Sequence, residues 1–392
     1  MGTAAVGHSR ADDAFGAGQA AASEAVSRAG GEPVVAIVYA TVVYDHARLL
    51  AGVRAAVGPD AAIVGCSTQG ISRNGAVEEV DRVVGVAVLA GPGIRVRVAR
   101  VEGLAADPAA AGRALAAALG PLASGGCPPL IWYDPLTGGN IDLLLAGLAE
   151  GGLPVVVGGG AGQHWGPIHR TYQFFGDEVL RDSALGLVID GVRMVCELSH
   201  GAEPLGLDLT ITEAEGNVLR KIDGQPALQV WAEHLGGGRE NNVDDTAAWS
   251  LGVQLPAGEA ANYEGPITRA VFGFRPDTQE IVLQAPIPTG TTVQLCHRTQ
   301  QAVHDRALDM AHRVRERLVD TRPLLVLSFE CGARPRPFLG DRGAAEEVRA
   351  IQEVLGADLP WLGFYAWGEL APIGAHTYFH NYTFPLVALV EV

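Results

Sequence analysis

Sulfur is scarce in this sequence, and charge is sparse. Five cysteines and three methionines occur in 392 residues, and charged residues make up 18%. The cysteines are odd in number and widely scattered, so they read as cytosolic thiols and not as a disulfide framework. Neither C-x-x-C nor H-E-x-x-H occurs, which argues against a conventional zinc site. Long apolar runs are also missing. The longest, Val83 to Ile94, is broken by Gly91-Pro92-Gly93 and is too short to span a bilayer. The N-terminus carries Asp12, Asp13 and Glu24 among alanines, unlike a secretory signal. Met1-Gly2 opens like a myristoylation site, but Val6 stands where Ser or Thr is needed. The expectation is a cytoplasmic protein with no membrane partner. Basic residues are the scarcer charge, 28 against 44 acidic ones, a net charge of -16. Such a surface repels phosphate backbones and anionic lipid, so no nucleic-acid partner is expected either.

What is present is apolar material in a regular pattern. Hydrophobic residues reach 48%, ample for a buried core, and the length suits two domains or one large domain with additions. Residues 1–32 read as an alanine-rich, loosely attached lead-in. From Pro33 the order becomes strand (Val34–Thr41), helix (His46–Val57, with Leu49, Leu50, Val53 and Val57 on one face) and strand (Ala61–Gly65). The series returns as the strand Leu130–Pro135, a helix capped by Asn140, and the strand Pro154–Val157 ending in the glycine run 158–160. It returns again as Leu324–Phe329, a helix from about Gly343, and Leu359–Gly363. Gly65 and Gly70 repeat the spacing of Gly363 and Gly368, which implies an internal duplication with a more diverged middle copy. Between the second and third copies, hairpin-forming strands are expected over Leu205–Ile211, Glu213–Ile222 and Ile267–Leu283. A long helix follows over Thr299–Leu318, and Gly236–Asp245 reads as a polar loop near a boundary. The predicted class is α/β, with α+β as the alternative: repeated strand-helix-strand units forming helix-covered sheets in two pseudo-related halves.

Candidate functional residues cluster at the predicted strand ends, where α/β proteins collect ligands. Cys66, Ser67 and Thr68 offer a thiol and two hydroxyls, although a buried inert Cys is an equally good reading. The run from Gly158 through Gly159 and Gly160 to Gly162 lacks the Lys-Ser/Thr ending of a phosphate loop, so its plainer reading is close backbone approach to a neighbour or ligand. Cys331-Gly332-Ala333-Arg334 places a guanidinium at a strand end, either as an anion fork or in an ion pair with Glu346 or Glu347. Tyr365, Trp367 and Glu369 add aromatic walls and a carboxylate, so Arg334 and Glu369 together could clamp a zwitterion. A single histidine suffices to hold a haem, which keeps His164, His169, His200, His376 and His380 as alternative ligands.

With these residues in place, the chain resembles the FIST family, a bacterial sensory module in two halves. The N-terminal half matches from Pro33 to about Trp231, through Gly65-Cys66-Ser67-Thr68, the run Gly158–Gly162, His200-Gly201 and Ile222-Asp223-Gly224-Gln225-Pro226-Ala227. The C-terminal half matches from Ala232 to Val392, through Cys331-Gly332-Ala333-Arg334, Gly363-Phe364-Tyr365, Gly368-Glu369 and His380-Asn381-Tyr382-Thr383. In the family the first motif usually continues to Gly-Glu; here Ile71 follows Gly70, and only Glu369 keeps the acid. The resemblance implies sensing of a small ligand, an amino acid or similar metabolite, and some relatives bind haem to sense nitric oxide. No signalling output segment is recognisable, so a protein partner would carry the signal. The reading is a non-catalytic binding protein with the domains 33–231 and 232–392 and no cofactor. Its pocket lies between the halves and is lined by Cys66, Ser67, Thr68, Gly159, Gly160, Cys331, Arg334, Tyr365, Trp367, Glu369 and Asn381. Haem binding is the first alternative, and a cysteine-dependent enzyme using Cys66 or Cys331 is the second.

Overall fold

The structure, a computed structural model, describes residues 2–392 except 122–125, 165–168, 236–245, 256–257, 260–262, 264 and 320. The polar loop expected at Gly236–Asp245 lies outside the described residues.

Three related units build the main body. The first runs Pro33–Thr41 (strand), His46–Val57 (helix), Ala62–Thr68 (strand), the hairpin Ile71–Arg73 with Ala76–Glu78, and the strands Val84–Ala90 and Arg95–Glu102. The second runs from helix Pro108–Leu119 through Leu130–Tyr133, helix Ile141–Glu150, Val157–Gly160, the hairpin Gln173–Phe175 with Glu178–Leu180, and the strands Ser183–Asp190 and Val192–Ser199. The third runs from helix Gln300–Leu318 through Leu325–Cys331, helix Gly340–Leu355, Trp361–Ala366, the hairpin Glu369–Ile373 with His376–His380, and Phe384–Glu391. Within each unit the two strands flanking the inner helix pair in parallel. The helices start where side-chain caps are available: Asp45, Asn140 and Thr299 each accept a backbone N–H of the first turn.

No unit closes its own sheet. The first hairpin adds to Trp361–Ala366, the second to Ala62–Thr68 and the third to Val157–Gly160. The last strand of a unit also crosses over, Arg95–Glu102 to Ser183–Asp190 and Val192–Ser199 to Phe384–Glu391. Thr3–Ser9 takes the corresponding place beside Val84–Ala90. The result is three six-stranded mixed sheets related by cyclic exchange of hairpins and edge strands.

Residues 1–32 are therefore not a loose lead-in. Thr3–Ser9 is a strand of the first sheet, and helix Ala14–Ala29 buries Ala17, Ala21, Ala22 and Ala25. Alanine is used there for close packing: a Cβ at Gly18 of this helix would come 2.2 Å from the Leu49 carbonyl oxygen of helix His46–Val57. The glycine run also departs from expectation. Val157–Gly160 is itself the strand, and the run does not follow it. Gly65, Gly158 and Gly363 hold equivalent places in the three sheets. A Cβ would fall 1.9 Å from Val38 O, 1.8 Å from Ile131 O and 1.9 Å from Ser328 Oγ, so only glycine fits.

The inner faces of the three sheets meet in one core holding Tyr39, Trp132, Phe329 and Phe364. The outer faces lie under helices, packed through Leu49 and Val53, Leu144 and Leu148, and Val348 and Ile351. Each such aliphatic side chain contributes about 1.5–3 kcal/mol on burial. Between the second and third units stands an antiparallel eight-stranded sheet running from Ala202–Glu215 to Thr292–Arg298, with its own core around Ile211, Leu251 and Trp231. The hairpin-forming segment Ile267–Leu283 is three strands, the last two joined by the turn at Pro276-Asp277. No helix of the described residues is long and apolar enough to cross a membrane.

Candidate ligand-binding groove

The strand-end residues singled out from the sequence do converge, at the junction where the three units meet. Their polar atoms are taken up by one another. Ser67 Oγ donates to Gly162 O (2.9 Å) and accepts the Tyr172 N–H (2.9 Å). Thr68 Oγ1 donates to Gly70 O (2.6 Å) and accepts the Tyr365 N–H (3.1 Å). Ser72 Oγ donates to the Tyr365 hydroxyl. Asn381 Oδ1 accepts the Ala270 N–H (2.9 Å) and its amide donates to Gln284, which fastens the inserted sheet to the third unit. A Cβ at Gly159 would lie 2.8 Å from Ala366 Cβ, and one at Gly160 2.5 Å from Trp367 O, so both glycines serve close contact with a neighbouring unit. Trp367 is partly exposed and meets Phe272 edge-to-face at 6.3 Å.

The expected zwitterion clamp is not formed. Arg334 is fully buried and faces both oxygens of Glu347 at 3.0 Å and Glu330 at 3.3 Å. One guanidinium cannot hold two buried carboxylates ionised. Burial raises both acids against the pull of Arg334. Glu347 has the two-oxygen contact and takes the charge, so Glu330 takes the proton. Arg334 Nη1 and Glu330 Oε2 are left without a protein partner. Glu369 has partners of its own: it accepts from Gly368 N–H, from the N–H and hydroxyl of Thr383, and from the Cys331 thiol. Burial still raises its carboxyl to about 8. Cys66 and Cys331 are buried and their thiols are pushed well up by burial, which removes the thiolate a nucleophile needs.

The open site lies elsewhere, against the strand Val192–Ser199. A groove of about 800 Å³ runs between that strand, helix Gln300–Leu318 and the turn at Pro372–Gly374, with Pro128 and Val157 opposite. Two hydroxyls in its lining, Ser199 Oγ and Tyr263 OH, are buried and have no hydrogen-bond partner among the described residues. A buried hydroxyl left unpaired costs about 1–3 kcal/mol, so such groups mark a place for water or ligand. The Tyr263 ring stands between His200 (5.7 Å) and His380 (6.3 Å), and His380 Nδ1 is also unpartnered. Burial lowers His380 to about 3, so it is neutral at pH 7. The helix presents Arg306, Arg313 and Arg317 to the groove. Arg313 and Arg317 both pair with Glu197, at 3.1 and 2.5 Å. The turn His200-Gly201 needs its glycine, because a Cβ at 201 would lie 2.6 Å from Val303 Cα on that helix.

The five histidines kept as haem ligands are not gathered into one slot. His164 sits at the surface against Asp81 O, His169 is exposed, and His376 faces Glu259 at 3.4 Å on a hairpin turn. His200 Nδ1 accepts the Ala202 N–H, and a Cβ at Gly265 would lie 2.9 Å from its Nε2. His380 is enclosed, with Nε2 on Ala371 O. Of the five, His200 lines the groove and His380 stands beside the Tyr263 ring. Among the described residues no group of His, Cys, Asp or Glu could hold a metal ion.

Sequence reasoning reached the groove only through His200. It missed Ser199, Tyr263, Arg313 and Arg317. The signal available was the spacing of Arg306, Arg313 and Arg317, which puts three cations in one stripe of the helix, next to the buried stripe of Val303, Met310 and Val314.

The scaffold is a mixed α/β protein in which two domains share their sheets. The family model described as FIST N domain matches residues 34–225, and the FIST C domain model matches residues 227–372. The chain belongs to the FIST family, whose domains are generally sensory. An uncharacterized protein of Mycobacterium tuberculosis, Rv0628c, is similar at 28% identity over 96% of each chain. An uncharacterized protein of Mycobacterium bovis, Mb0898c, is 27% identical over 56% of this chain, and the match spans 57% of that relative's length. Among solved structures, Thermotoga maritima PurL complexed with FGAR is matched with a TM-score of 0.24 and 10% identity, over 100% of this chain and 73% of that one. A likeness at that level carries no argument.

Proposed function

We propose that this protein is a ligand-binding sensor whose ligand occupies the groove beside Val192–Ser199, between its two family domains. One observation carries the reading: the buried, unpartnered hydroxyls of Ser199 and Tyr263 in a groove with walls from both domains. The volume, about 800 Å³, lies in the upper part of the ~300–1,000 Å³ range of drug-sized sites. A free amino acid would leave most of that space to water, so the ligand is larger than the single amino acid the resemblance implies. Binding across two domains gives a route from ligand to output, because occupancy would bias how the domains sit together.

The test is a thermal-shift and calorimetric screen of metabolites and peptides on the full chain, repeated with Ser199→Phe, whose ring would obstruct the groove at Ser199. Loss of binding of each hit in the variant, with its melting temperature kept, is expected. Hits that bind the variant unchanged would sink the reading.

A further inference from the structure

We infer that the groove takes an extended acidic peptide segment of a partner protein, added as a strand to the free edge of Val192–Ser199. This rests on the groove being the ligand site and goes further by naming the class of occupant.

The edge is open. Val192–Ser199 is the outermost strand of its sheet and pairs only with Phe384–Glu391. The hydrogen-bond parity fixes which residues face outward. Leu389 O takes the Leu324 N–H on the far side of its strand, while Val392 N–H bonds Gly191 O on the near side. Alternate residues of an antiparallel pair bond to opposite sides. The residues bonded across to Phe384–Glu391 are therefore Arg193, Val195 and Glu197, and Met194, Cys196 and Leu198 turn their backbone groups away from the sheet. Those outward N–H groups have no partner among the described residues. All three residues line the groove. An unpaired strand edge is a template for another strand.

The two outward carbonyls at Cys196 and Leu198 are held by side chains. Arg317 donates to Cys196 O (3.0 Å) and Arg313 to Leu198 O (3.3 Å). Both arginines are about half-exposed and share the one carboxylate of Glu197. They guard the edge when it is empty. An incoming strand must take over those carbonyls with its own N–H groups, and a carboxylate on that strand gives the displaced guanidinium groups a partner. The groove's lining carries Arg306, Arg313 and Arg317 against Glu197 and Glu203, an excess of one positive charge on a chain of net charge -16. The partly exposed Pro128 and Pro372, also in the lining, offer apolar contact to alternate side chains of the same strand. At about 3.3 Å per residue, five or six residues cover the edge.

The probe is an acetylated, fluorescein-labelled heptapeptide alternating valine with aspartate or glutamate, titrated into the full chain by anisotropy. Two control peptides accompany it: one N-methylated at alternate amides, and one with lysine for each acid. Saturable binding, weakened at least tenfold by N-methylation, by the lysine exchange and by Arg313→Glu/Arg317→Glu, is expected. Hydrogen exchange should slow at the amides of Met194, Cys196 and Leu198 in the complex. Equal binding of the N-methylated peptide would overturn strand addition, and needs no protein variant to read. Absence of peptide binding at millimolar concentration, with citrate or inorganic phosphate bound and blocked by Ser199→Phe, would overturn the peptide and keep the groove. Peptide binding that survives Ser199→Phe unchanged would overturn both.

Discussion

Two polar regions of this molecule differ in one respect that matters. At the junction of the three units, Ser67, Thr68, Tyr365, Glu369 and Asn381 are buried and bonded, Ser67, Thr68 and Tyr365 across unit boundaries, Asn381 to the inserted sheet and Glu369 within its own unit. In the groove, Ser199, Tyr263 and the outward amides of Met194, Cys196 and Leu198 have no partner among the described residues. Both regions carry the residue types of a binding site. Only the second sets its unpartnered groups in an open groove; the unpartnered Arg334 Nη1 and Glu330 Oε2 are enclosed. Satisfied polarity joins the three units of the body; unsatisfied polarity beside a cavity waits for a ligand.

The sharpest test of that contrast is Arg334→Ala. It leaves Glu330 and Glu347 buried without their cation, and breaking a buried pair this way costs about 3–5 kcal/mol. Urea unfolding should show that loss, while ligand affinity of the folded fraction stays within about twofold. A loss of affinity without a loss of stability would move the site back to the junction.

Gly158→Ala comes next. Its methyl group has nowhere to go beside Ile131 O, and overpacking of this kind costs about 1–3 kcal/mol or more. Differential scanning calorimetry should show the lowered melting temperature, with no effect specific to ligand.

The pH dependence sharpens the comparison further. The Glu369 carboxyl is raised by burial from an ordinary 4.5 to about 8. A group raised on folding stabilises fully below its unfolded value, and that contribution is lost as pH rises from about 4.5 through 8. The urea midpoint of Glu369→Gln should therefore fall less between pH 5 and 8 than that of the parent. Parallel curves for the two proteins would mean that Glu369 is ionised in the fold.

Ser199→Ala differs in sign. Removing an unpartnered buried hydroxyl should leave stability unchanged or raise it, by up to about 1–3 kcal/mol, whereas loss of one ligand hydrogen bond, about 0.5–1.5 kcal/mol, weakens binding some two- to tenfold. Calorimetric titration beside a melt reads both quantities. A large drop in melting temperature with unchanged affinity would assign Ser199 to the junction's kind of polarity.

Local features of the fold were legible. The helix His46–Val57 and the cap Asn140 stand as the apolar spacing and capping chemistry predict, because a helix of 12 residues is specified within its own length. The repeat was legible too, through the glycines at 65 and 363. The exchange of hairpins was not. Nothing local marks Ile71–Arg73 as a strand, because its pairing partner, Trp361–Ala366, lies in the third unit. The lead-in was misread for a related reason: alanine spacing in Ala14–Ala29 has little amphipathic signal, yet alanine is what close helix packing against His46–Val57 requires.

The sequence by itself determined the class of this protein, its repeated units and the family to which it belongs, since these follow from short-range periodicity and from motifs in order. It also singled out several residues of the buried junction, among them Ser67, Thr68, Arg334 and Glu369. Whether those residues bind a ligand or bind each other was decided by tertiary structure, because that depends on which donor meets which acceptor across units far apart in the chain. The same holds for the groove. Met194, Cys196 and Leu198 are unremarkable strand residues until the sheet order leaves their strand at an edge and the helix brings Arg313 and Arg317 to it.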